Sequence, residues 1–131
     1  MYFILISVSI FFSILFLQSG LDKVINWTGN LTWLKEYFAK TPLKNMVTIL
    51  LATTTLLELG AGILSGIGAV LIPMIGNIEI AQWGIYLSNI SFLCLFFGQR
   101  MAKDYAGAAG MVPYFFTSLL AIYFFASYVV N

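Results

Sequence analysis

The stretch MVTILLATTTLLELGAGILSGIGAVLI, residues Met46 to Ile72, decides the fold: it carries one ionisable side chain, Glu58, in an otherwise apolar or small-residue run. A membrane span needs about 20 predominantly apolar residues, and this run exceeds that length. Glu58 sits about twelve residues into it, roughly 18 Å from Met46 at the helical rise. A carboxylate at that depth costs roughly 2.5–3.5 kcal/mol on insertion scales, so it is expected to face protein and to find a partner. Helical spacing puts Thr54, Glu58, Gly62, Ser65 and Ala69 on one stripe, with Leu56, Ile63, Ile67 and Val70 on the lipid side. Gly62 and Gly66 make a G-x-x-x-G step that allows close helix approach.

Three more runs of the same kind flank this one. Tyr2 to Leu21 lacks the basic leader and small-x-small cleavage site of a secretory signal, and reads as an uncleaved first span. The second span is expected to close at Pro73. The third covers about 80–99, and the last about 105–130 with Pro113 inside it. The chain is expected to be all-α: a polytopic membrane protein, one domain over 1–131. Its spans, at about 2–21, 46–72, 80–99 and 105–130, form an antiparallel four-transmembrane-helix bundle. Between the first two spans, Trp33, Tyr37 and Lys40, like Leu34 and Phe38, follow helical spacing. They predict a short interfacial amphipathic helix, read as a membrane anchor in preference to a lid, because aromatic belts are general.

Composition agrees. Hydrophobic residues make up 61% of the 131 and charged ones 8%, against about 25% charged in a soluble domain. A disordered chain, a nucleic-acid binder and a disulfide scaffold are excluded on those figures. The chain has no histidine, which removes His-ligated haem, most catalytic zinc sites and His-based triads. Its single cysteine, Cys94, lies in an apolar run and reads as a small buried hydrophobe. No metal site and no covalently held cofactor is expected.

Lys23, Lys35, Lys40, Lys44, Arg100 and Lys103 all fall on one side of an antiparallel bundle, and Glu79 falls on the other. The positive-inside rule then puts loops 22–45 and 99–104 in the cytoplasm and both termini outside. Coiled-coil-like 4-3 steps run through Ser9, Ser13, Phe16, Gly20 and Lys23 in the first span. They run through Gln82, Tyr86, Asn89, Leu93, Phe96 and Arg100 in the third, and through Gly107, Gly110, Tyr114, Thr117, Ala121 and Tyr128 in the fourth. These stripes predict a polar cluster of Lys23, Glu58 and Arg100, with Asn89 above it and Asp104 at the start of the last helix. Gly20, Gly62, Gly66, Gly107 and Gly110 are the expected helix-packing positions. The cluster has two readings: an ion network that fixes helix register, or a site for a polar headgroup or a proton.

Gln18-Ser-Gly-Leu-Asp-Lys23, Glu58-Leu-Gly-Ala-Gly62 and Gly98-Gln-Arg-Met-Ala-Lys-Asp104, followed by Gly107 and Gly110, resemble the DoxX family of small bacterial four-helix membrane proteins. The resemblance implies a protein of the bacterial inner membrane beside quinone-linked oxidoreductase systems. It suggests a non-catalytic accessory subunit of a redox or respiratory assembly, with lipid and a larger membrane complex as partners. The alternative is a protein that binds or transports a small molecule, a quinone, lipid headgroup or solute, at the buried Glu/Lys/Arg site.

Overall fold

The computed structural model describes residues 2–130, with side chains as far as Tyr128. Five helices follow one another: α1 (Tyr2–Ile25), α2 (Trp27–Tyr37), α3 (Val47–Ile75), α4 (Glu79–Met101) and α5 (Tyr105–Val130). All but α2 are long and apolar enough to cross a membrane, and no strand occurs among the described residues. The protein is a helical membrane bundle.

The helices pack as a broken ring. α1 lies along α3, α3 along α4 and α4 along α5, while α5 barely touches α1 and does not reach α3. Small residues hold the first two seams tight. A Cβ added at Gly62 would come within 2.8 Å of the Leu17 backbone nitrogen, and one at Gly20 within 2.7 Å of the Leu59 side chain. On the other side of α3, Gly68 abuts the Ala81 backbone, and a Cβ at Gly84 would lie 2.6 Å from the Ser65 nitrogen. Without a hydrophobic force between helices in lipid, such close approach is what draws spans together.

These pairs also set the depth of everything else. Gly20 opposite Leu59 and Leu17 opposite Gly62 carry the antiparallel register on to Lys23, level with Leu56. α3 therefore extends about 10 Å beyond the end of α1 at the charged side. The α3–α4 register puts Glu58 level with Ser91. Glu79 and Arg100 bracket about 31 Å of α4, close to the about 30 Å hydrocarbon thickness. On that scale Glu58 lies about 13 Å inside the Arg100 level, near the bilayer centre.

Three helix ends lie beyond the sequence expectation: α1 runs on from Leu21 to Ile25, α3 from Ile72 to Ile75 and α4 from residue 99 to Met101. Pro73 does not close α3. The helix runs on to Ile75 and stops at Gly76, whose φ of 69° is the left-handed conformation a helix C-terminus favours, with its N–H on the Ile72 carbonyl. Proline costs an interior hydrogen bond, but one turn from the end few remain to lose. At the other turn, α4 ends in a Schellman motif: Lys103 N–H bonds Arg100 O and Asp104 N–H bonds Gln99 O. The left-handed position there is occupied by Lys103, φ 59°, where glycine would be unstrained. Lys103→Gly is therefore expected to stabilise the fold by about 0.5–1 kcal/mol, readable as a later midpoint in an SDS unfolding titration.

The interior stripe of α1 is as expected: Ser9, Ser13, Phe16 and Gly20 are buried. On α3, Glu58, Gly62 and Ser65 are buried, with Thr55 and Gly68 in place of Thr54 and Ala69. On α4 the expected stripe is out of phase. The buried residues are Ala81, Gly84, Ile85, Ser88, Ser91 and Phe92, while Leu93, Phe96 and Arg100 are exposed. α5 buries Ala108, Ser118, Ala121 and Phe125, so of its expected stripe only Ala121 is a core residue. Gly107 sits beside the Asp104 carboxylate and not in a helix seam, and a Cβ at Gly110 would meet nothing. Gly66 does lie in the α1–α3 seam, where an added Cβ would come within 2.7 Å of the Ser13 hydroxyl.

A buried ion pair beneath a roofed cavity as the candidate functional site

Lys23 occupies the last turn of α1, four residues after Ser19, and both side chains lean toward α3. Lys23 Nζ donates to Ser19 Oγ at 2.8 Å and to Glu58 Oε2 at 3.0 Å. The Glu58 side chain is 1% exposed and that of Lys23 17%, so the contact is a desolvated ion pair. The other carboxylate oxygen, Oε1, has no partner. A lone carboxylate at this depth would be costly; the ammonium neutralises it, and the long lysine stem lets its charge reach inward from the end of a shorter helix.

Because α1 stops about two turns short of α3, the charged end of the bundle has a hollow that α2 covers. The break is at Asn26, after which α2 crosses toward the α4–α5 corner. The aromatic residues at its end cover the hollow: Trp33, itself 59% exposed, stacks on Tyr37 at 4.7 Å between centroids, Tyr37 stands edge-on to Phe38, the residue after α2, at 4.9 Å, and Phe38 lies beside Gly98. Tyr37 OH donates to Asp104 Oδ2 at 2.7 Å, tying the roof to the start of α5. The interfacial helix thus roofs a cavity, although its composition also suits an anchor. The cavity has a volume of about 420 Å³. Lys23, Tyr37, Gln99 and Asp104, with Thr53 and Thr54 of α3, supply polar groups to its wall, and leucine and phenylalanine side chains such as Leu51 and Phe97 supply much of the rest. The Gln99 carboxamide oxygen is buried without a hydrogen-bond partner.

Of the five expected cluster residues, Lys23 and Glu58 pair, Asp104 joins the cavity wall, and Arg100 and Asn89 lie elsewhere. Arg100 points outward and stacks over the Tyr105 ring at 4.5 Å, because the face of α4 that packs on α3 is the one with small residues. Asn89 turns to α5 and donates to Ser118 Oγ at 2.9 Å, and Ser118 in turn bonds the Phe115 carbonyl. Asp104 caps α5, accepting the Gly107 N–H at 3.0 Å, and stands on the cavity wall beside Tyr37, apart from the ion pair. Cys94 is also not a buried hydrophobe: it is exposed, on the cavity wall. Ser19 and Gln99 are the polar wall and pair residues that the sequence reading left out; the i,i+4 step from Ser19 to Lys23 was the available signal for the first.

Burial, then the hydrogen bond to Asp104, pushes the Tyr37 phenol up from 10.0 to about 12. The same hydrogen bond, with the Gly107 N–H, holds Asp104 below its ordinary 3.8. A raised phenol contributes fully below pH 10 and loses its contribution as pH climbs through about 12. A depressed carboxylate contributes fully above its ordinary value and loses its contribution as pH falls through the depressed one. The roof is therefore expected to stay fastened from about pH 5 to 9 and to loosen at both extremes. Trp33 emission in a Trp27→Phe/Trp83→Phe background should be flat over that window and change outside it; a Tyr37→Phe variant should show no such acid and alkaline steps.

Compared with protein-family models, with curated proteins and with solved structures, the chain matches none.

Proposed function

We propose that this multi-pass membrane protein holds a lipid-soluble small molecule in the cavity beneath α2 and performs no reaction on its own. The observation that carries this reading is the cavity itself: about 420 Å³, largely apolar, with a small set of polar groups from Lys23, Tyr37, Thr53, Thr54, Gln99 and Asp104. Small-molecule sites share that size and pattern. The charges on its wall are already matched, Lys23 by Glu58 and Asp104 by the Tyr37 hydroxyl and the α5 N-terminus. The fitting occupant is accordingly an amphiphile with a neutral polar head, of the size of a quinone ring or a glycerol ester, whose apolar tail continues into the bilayer. The positive-inside rule supports a cytoplasmic position for α2 and the 102–104 turn, and the DoxX resemblance supports a bacterial inner membrane. Membership of a larger redox or respiratory assembly rests on that resemblance alone.

Cys94 gives the test, since it is exposed on the cavity wall and is the only cysteine. In nanodiscs, its alkylation by N-ethylmaleimide should slow about tenfold when a short-chain quinone or a diacylglycerol is present at ten times Kd. Filling the cavity with Thr54→Phe should remove the protection. A rate indifferent to either amphiphile would overturn the reading.

A further inference from the structure

A second cavity, of about 220 Å³, lies on the far side of the ion pair. Leu15, Phe16 and Ser19 of α1, Glu58 of α3, Phe92 and Leu95 of α4, and Met111 and Tyr114 of α5 line it. It occupies the seam where the ring of helices is broken, α1 and α5 barely touching and α3 not reaching α5, so it opens sideways to the bilayer. Lys23 belongs to the wall of the roofed cavity and Glu58 to the wall of this one. The 3.0 Å ion pair stands between them, together with Leu95, which lines both.

We propose that this lateral cavity is a binding site for a neutral hydroxyl-bearing aromatic ring dissolved in the membrane, a phenolic head, with Glu58 as its hydrogen-bond acceptor. Four observations converge on that class. Glu58 is 1% exposed, and its Oε1 is unpartnered although the rest of the cavity wall is mostly apolar. A buried acceptor in such a place gains from a donor that no protein group supplies. Glu58 is already neutralised by Lys23, so the donor is neutral, a hydroxyl and not an ammonium. The walls are aromatic, with Phe16 and Phe92 at 5.0 Å and Phe92 and Tyr114 at 5.8 Å between centroids, which suits a planar ring. The volume also fits one: an apolar cavity of about 150 Å³ accepts benzene, and this one leaves room for substituents. The ring enters between α1 and α5 without crossing α2, so the site works independently of the roofed cavity.

Saturation-transfer NMR on the protein in nanodiscs, with 4-ethylphenol and its hydroxyl-free analogue 4-ethyltoluene at equal mole fraction in the bilayer, tests the assignment. The phenol is expected to bind about tenfold more tightly than the toluene, the ratio a hydrogen bond to a charged acceptor provides. Met111→Phe, which fills the cavity without touching the ion pair, should abolish binding of both. Lys23→Met/Glu58→Met removes the acceptor without stranding a charge, and should reduce the phenol to the affinity of the toluene. Equal affinities in the wild-type protein, a preference that survives the double variant, or binding indifferent to Met111→Phe would each overturn the proposal. Cys94 alkylation measured in parallel separates this from the roofed cavity: the phenol should leave the rate unchanged, and protection there would reassign its site.

Discussion

Lys23→Met is expected to cost the folded bundle about 3–5 kcal/mol, the largest effect of any single substitution at the candidate site. The reason is the state in which it leaves Glu58. The carboxylate is 1% exposed, about 13 Å inside the charged rim, and among the described residues the lysine is its only hydrogen-bond partner. Methionine keeps most of the stem's packing but leaves a charge with no partner. Glu58→Met should cost less, because the freed lysine can extend toward the charged end of α1. Lys23→Met/Glu58→Met should recover most of the loss, since replacing both members of a buried pair by apolar residues of similar size is often neutral. Reversible unfolding in mixed micelles titrated with SDS measures all three. A loss below about 1 kcal/mol for Lys23→Met would mean that the pair behaves as a surface salt bridge and that water reaches it freely.

Gly68→Val should be nearly as damaging, for a steric reason. A Cβ at Gly68 collides with the backbone of Ala81, which cannot rotate away as a side chain would. α3 and α4 must then separate, and the tight seam through Ser65 and Gly84 opens with them. Overpacking costs about 1–3 kcal/mol where side chains can yield, and the upper end applies here. Gly110→Ala is the matched control. Nothing lies within 4 Å of its added Cβ, so it should gain about 0.5–1 kcal/mol from helix propensity alone. The two glycines look alike in sequence; the same SDS titration should move in opposite directions for them.

That contrast shows what the sequence discloses and what it withholds. The four spans were legible because apolar length is a one-dimensional property. Lys23 and Glu58 were legible because α1 and α3 each place small residues on one regular stripe with the charge on it. On α4 the polar residues Gln82, Asn89 and Arg100 do not mark the inward face. In lipid the inward face of a tightly packed helix is marked by size, and Ala81, Gly84, Ser88 and Ser91 are the small residues. Arg100 lies close enough to the helix end to find Tyr105 and the interface, so it needs no buried partner. Neither cavity could be read in advance. One depends on α1 ending two turns before α3, the other on a missing α1–α5 seam, and both are matters of register between helices.

The clasp between Tyr37 and Asp104 joins groups 67 residues apart. Chains grow from the N-terminus at about 5–20 residues per second, so α2 is made several seconds before its tether leaves the ribosome. The α4 part of the cavity wall, Leu93 to Gln99, is made only just before Asp104, so the hollow and its fastener are completed almost together. The roof helix therefore waits unfastened only until the cavity it covers exists.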